Sequence, residues 1–147
     1  MKITDILLAE HFVLRNAFDQ IQRQLPRLRT LAEVKVVAHL LKNLLQGHSK
    51  AEQDLVFPAL AHCLQELGQL QNFELEHREI HASLARAQVA KRMVEARSLL
   101  DAALAYSRKH FAQEERVIFP LAEKVMKQQT LTELGRAWIR QREAHPD

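Results

Sequence analysis

Apolar residues recur along this chain at three- and four-residue steps, the spacing of a helix with one buried face. Leu7, Leu8, His11, Leu14, Phe18, Ile21 and Leu25 make the first such stripe, with Thr4 placed to cap it and Pro26 to end it. Thr30 with Glu33 reads as a capping box that opens a second helix, which runs to about Leu67 with a kink near Pro58. Gly68 falls in the connection. A third helix is expected from near Gln71, through Phe73, His77, His81 and Leu84, to around Lys91, and a fourth from about Met93 to Met126. Thr130 and Glu133 form another possible capping box for a short fifth helix with Leu131, Leu134 and Trp138 on its apolar edge. The connections are short, so neighbouring helices should run antiparallel. The expected fold is all-α: an up-down-up-down four-helix bundle over residues 1–127, with residues 128–147 forming a C-terminal helix and tail packed on it. The second and fourth helices would then lie diagonally across the bundle, parallel to each other.

Composition supports this picture. The chain has 147 residues, enough for one domain with a buried core. Apolar residues make up 47%, with three glycines, four prolines and 5% aromatics, which leaves little turn chemistry for a sheet. The net charge of +3 is spread along the chain, and its densest basic patch is Arg23, Arg27 and Arg29. No stripe of Lys and Arg with stacking aromatics accompanies it, so no nucleic-acid partner is expected. Cys63 is the single cysteine, which excludes an intrachain disulfide. No run approaches the roughly 20 apolar residues of a membrane span. Without a signal peptide, these features point to the cytoplasm.

The chemistry lies in a phrase that occurs twice, H-x-x-x-E-x-x-x-x-F-P. One copy is His48, Glu52, Phe57 and Pro58; the other is His110, Glu114, Phe119 and Pro120. Leu55-Val56 aligns with Val117-Ile118. Between the copies, His77 and His81 repeat the same four-residue step. A helix advances about 100° per residue, so positions i and i+4 share a face one turn apart. Three helices thus offer two side-by-side ligands each, and His11 adds another on the first apolar stripe.

A single histidine on a bundle's inner stripe is ordinarily a hydrogen-bonded core residue. Seven polar groups on inward positions are different, because each left unpaired costs on the order of 1–3 kcal/mol, and a carboxylate more. Metal coordination removes that penalty from all seven. The donor set exceeds the needs of one ion, and a structural zinc site would feature thiolates. Two ions sharing Glu52 and Glu114 use every donor, and the histidine-rich set favours iron over manganese. His39 points about 180° from His48, His62 lies too far along the axis, and His145 is in the tail. Glu74 and His77 match the E-x-x-H of ferritin-like di-iron sites, but no second copy exists.

In the order, number and spacing of these residues the chain resembles the hemerythrin-like, or HHE cation-binding, domain family, over roughly residues 3–126. The resemblance implies that His77, His81 and His110 hold one iron, and His11 and His48 the other. It implies that Glu52 and Glu114 bridge the two, with an oxo or hydroxo group between them and an open position on the second iron. Oxygen-carrying members end their last motif H-x-x-x-x-D, whereas here Glu114 stands at i+4 and Glu115 one place later. The first repeat uses the i+4 step, which favours Glu114. The departure points away from dedicated oxygen carriers and toward relatives linked with iron sensing, nitric-oxide response and iron–sulfur repair. Tyr106 and Ser107, four and three residues before His110, are expected to line the open position. The expected function is a soluble non-haem di-iron protein, monomer or homodimer, that binds or senses O2, NO, peroxide or a related oxidant. Iron handling for iron–sulfur repair and a low-rate peroxidase or NO-consuming activity are alternatives that use the same ligands.

Overall fold

The computed structural model describes residues 1–144, and His145 with the rest of the expected tail lies outside the described residues. Seven α-helices follow one another: α1 (Ile3–Gln24), α2 (Leu31–Ala51), α3 (Phe57–Glu66), α4 (Leu70–Val89), α5 (Met93–Gln113), α6 (Phe119–Val125) and α7 (Gln128–Ala144). There is no strand among the described residues. α1, α2, α4 and α5 form the bundle. α1 touches α2 and α5, α4 touches the same two, and α2 also meets α5 across the middle. α7 packs chiefly along α1 and also reaches α2 and α6.

Helix ends agree with the sequence in part. Thr30 caps α2 by accepting from the Glu33 amide at 3.2 Å, and the Glu33 carboxylate reaches back to the Arg29 amide at 2.9 Å. Gly68, at φ +69°, supplies the left-handed residue that turns the chain between α3 and α4. Thr4 does not cap α1: the helix starts one residue earlier, and the buried Thr4 hydroxyl donates to Glu123 of α6. α7 likewise starts at Gln128, so Thr130 sits inside it.

The expected kink at Pro58 takes a particular form, and it occurs twice. α2 and α3 are joined by a π-helical turn, Glu52–Val56, and α5 and α6 by another, Glu114–Ile118. The amide of Phe57 bonds the carbonyl of Glu52, and that of Phe119 bonds the carbonyl of Glu114, each five residues back. A proline has no amide hydrogen and clashes with the carbonyl four residues before it. The wider turn moves that carbonyl away and lets the helix continue. In both copies it begins at the glutamate of the repeated phrase.

The core is divided. Leu14, Phe18, Leu41, Leu84, Leu100 and Leu104 belong to one apolar cluster, and Ile3, Leu7, Leu60, Phe73, Ile118 and Leu131 to another. Between them on every bundle helix stand buried polar residues: His11 on α1, His48 on α2, His77 on α4 and His110 on α5. Leu100, fully buried in the larger cluster, tests the packing. Leu100→Ala is expected to destabilise the protein by about 2–5 kcal/mol in denaturant unfolding. Val94→Ala, at a position 81% exposed on the same helix, should stay within about 0.5 kcal/mol.

Candidate metal centre

Glu52 and Glu114 are 1% and 0% exposed, and none of their four carboxylate oxygens has a hydrogen-bond partner. Four imidazoles surround them. Oε1 of Glu52 lies 3.0 Å from Nε2 of His48, and Oε2 lies 3.1 Å from Nε2 of His77. Oε1 of Glu114 lies 2.6 Å from Nε2 of His110, and Oε2 lies 3.2 Å from Nε2 of His11. Nε2 of His11 and Nε2 of His48 are themselves 3.0 Å apart. Nitrogen and oxygen are close here without hydrogen-bond directionality. Their lone pairs converge on shared points.

Two such points exist. His11, His48, Glu52 and Glu114 form one group, and Glu52, His77, His110 and Glu114 form the other; within each, the ligand atoms lie within 4.8 Å of one another. Donors about 2.0–2.2 Å from a central ion would stand about that far apart at most. Both glutamates belong to both groups. Orphaned, buried carboxylates in reach of imidazole nitrogens fit a pair of cations well.

The opposite edge of each imidazole is also engaged. Nδ1 of His110 bonds Glu76 at 2.6 Å, and Nδ1 of His11 bonds Glu115 at 2.9 Å. Nδ1 of His48 faces Glu10 at 3.5 Å. Gln53 places its side-chain amide 3.3 Å from Nδ1 of His77, and an amide can turn either its oxygen or its nitrogen inward. A partner on Nδ1 fixes the ring's orientation and leaves Nε2 free to ligate. Glu115 is steadied in turn by Arg15 at 2.5 Å. Aromatic rings close the layer to water: Phe111 stacks on His11 with centroids 3.9 Å apart, Phe57 lies 5.3 Å from His77 and Phe119 lies 5.3 Å from His11.

The structure brings together His11, His48, Glu52, His77, His110 and Glu114. It leaves His81 outside both groups, half-buried and 3.1 Å from the Ser49 hydroxyl. Tyr106, expected on the inward side of α5, is 51% exposed. The inward stripe of α5 runs through Ala103, Ser107, His110 and Glu114, and Tyr106 falls on its flank. Ser107 is fully buried, and its hydroxyl has no partner. Glu115 is the carboxylate outside the layer and Glu114 the one within it. The outer partners Glu10, Gln53 and Glu76 had no place in the sequence expectations. Each stands next in sequence to an inward residue, and that adjacency was the available signal.

Charge in the layer is strongly coupled. Burial alone would push His48 down, but the charges of Glu52 and Glu114 and the nearby Glu10 carboxylate outweigh it and raise it to about 10. Burial and the charge of Glu114 compete in the same way at His110, which also rises to about 10. Burial favours a protonated Glu114, yet His110, His11 and His77 hold its carboxyl well below the ordinary range. Burial and the neighbouring His77 lower His81.

This pattern of a buried, paired acid–base layer in an all-helical bundle defines a metal-binding helical domain. The chain belongs to the hemerythrin HHE cation-binding domain family, which it matches over residues 2–122 and, in an overlapping second alignment, over 68–145. Neither a curated protein nor a solved structure matches it. No described helix is long and apolar enough to cross a membrane.

Because His48 and His110 are raised, the stability they contribute is complete below the ordinary imidazole value of 6.5 and is lost as pH climbs toward 10. Chelator-treated protein is therefore expected to melt at progressively lower temperature across that range, and His110→Gln should flatten the slope. A melting temperature that stays level from pH 6.5 to 10 would show that these histidines carry no extra proton without metal.

Proposed function

We propose that the chain is a non-haem di-iron protein that binds or senses O2, NO or a related small oxidant. The observation that carries this reading is the pair of donor groups sharing Glu52 and Glu114, with four buried carboxylate oxygens that nothing in the protein satisfies. His11 and His48 would hold one ion and His77 and His110 the other, with Glu52 and Glu114 within reach of both. His81, expected as a seventh ligand, stands one turn along α4 from His77, beside Ser49. Imidazole and carboxylate without thiolate suit iron. An iron pair supplies a redox couple and room for one small exogenous ligand. The protein's part is to orient the rings of His11, His77 and His110 through their Nδ1 partners, aim Nε2 into the layer and exclude water with Phe57, Phe111 and Phe119. With Tyr106 turned outward, Ser107 is the hydroxyl on the inward stripe of α5, and it is the candidate to face the bound ligand. The cytoplasm, where ferrous iron stays reduced and thiols free, suits such a centre.

Iron handling for cluster repair is the second reading. It is favoured by the position of His81, because two histidines and two shared carboxylates hold each ion less firmly than a fuller set.

Reconstituted, air-exposed protein is expected to contain about two irons per chain and to show charge-transfer absorption that shifts on adding azide. Glu52→Ala and His48→Ala should each lower the iron content. Iron lost to a mild chelator within minutes would favour the handling role, and peroxide turnover abolished by His48→Ala would favour an enzyme. No iron uptake after anaerobic reconstitution would refute the di-iron reading.

A further inference from the structure

Glu10 is where the polar layer meets the C-terminal helix. Its Oε1 accepts from Nε1 of Trp138 at 2.7 Å, and its Oε2 accepts from Arg142 at 2.8 Å. The same Oε2 faces Nδ1 of His48 at 3.5 Å. The Arg142 guanidinium lies 5.0 Å from the Trp138 ring centroid. One residue further back, Gln141 donates to Asp54 at 2.6 Å, inside the π turn that begins at Glu52. Arg142 can lie there because position 47 of α2 is glycine: a Cβ at Gly47 would collide with the guanidinium.

The other outer carboxylates are held from within the bundle. Glu115 is clamped by Arg15 of α1, and Glu76 of α4 pairs directly with His110 of α5. Only the His48 chain leads out to α7. It is also the slack one. His110 and His11 approach their carboxylates at 2.6 and 2.9 Å, whereas Nδ1 of His48, although buried, has no hydrogen-bond partner.

We propose that α7 is a strap coupled to the metal centre through Glu10, so that filling the centre and docking α7 reinforce each other. The proposal rests on the reading of His48 as a metal ligand. With a cation held at Nε2, the Nδ1–H of His48 would become a stronger donor to Glu10, which faces it at 3.5 Å. Glu10 is then fixed where Trp138 and Arg142 meet it. Linkage makes the effect reciprocal: whatever docking of α7 adds to metal affinity, metal adds to docking of α7. Glu10, Trp138 and Arg142 act as positioning residues, since none of them reaches the donor groups.

The test uses the full chain, Fe(II) under anaerobic conditions, and Zn(II) as a redox-silent probe. Amide exchange over residues 128–144 is followed with and without metal, and metal per chain is measured in the same samples. Exchange in α7 is expected to slow on loading. Trp138, the only tryptophan, should shift its emission over the same titration. Gly47→Ala displaces Arg142 while placing a better helix former in α2, so the bundle is retained. It and Trp138→Phe are expected to weaken metal binding about 5- to 150-fold, the usual span of a coupling between sites. They should also reduce the protection that metal gives α7 by the same factor. Ile139→Ala, on the same helix but 45% exposed, should leave affinity unchanged. Metal bound normally, with exchange in α7 identical in both states or with Gly47→Ala binding as wild type, would overturn the strap and leave the metal centre standing. Failure of the wild-type chain to bind either metal would overturn both.

Discussion

Two carboxylates buried without a hydrogen bond set the terms for everything else in this protein. Glu52 and Glu114 stand in the middle of a helical bundle where water does not reach. An uncompensated charge there is too costly to persist. In the metal-free chain the only available relief is protonated imidazole, which explains the upward shifts at His48 and His110 and the downward shift at Glu114. A cation offers better relief, because it satisfies carboxylate oxygens and imidazole nitrogens together. The four rings, their outer partners and the surrounding phenylalanines then read as a device for holding lone pairs at two points in a dry layer.

The repeated phrase carries more than ligands. Its glutamate opens a π turn, its phenylalanine closes that turn with an amide to the glutamate carbonyl, and its proline makes the wide turn necessary. Its phenylalanine also walls the layer, Phe57 beside His77 and Phe119 beside His11. One short string thus specifies a ligand, the backbone distortion around it and the apolar cover over it. Two copies on diagonal helices give the layer its near-symmetry.

Helical periodicity made the bundle legible, since long amphipathic stripes and short connections admit few other folds. The six inward donors were legible for the same reason. The i+4 rule assigns a shared face but does not set which partner each side chain meets along it. His81 sits one turn, about 6 Å, along α4 from His77 and meets Ser49 there. Tyr106 drifts off the stripe that Ala103, Ser107 and His110 define. Thr4 and Thr130 looked like caps, yet both helices begin before them, and Thr4 bonds Glu123 instead. The partners Glu10, Gln53, Glu76 and Glu115 resemble any solvated charge or amide until the fold shows which ring each one faces.

The polar layer also cuts the hydrophobic core in two. Each apolar cluster is small, and neither runs through the layer to grip the other. A protein built this way has two apolar halves joined at a plane of charge, and bound ions would act as rivets between them. The half that holds the chain's first residues, α3 and α6 is the smaller, and its loosening exposes the layer without unfolding the rest. Entry and loss of an ion would then be paced by the breathing of that half, and a mutation deep in its apolar packing would alter how long a metal stays without touching a ligand.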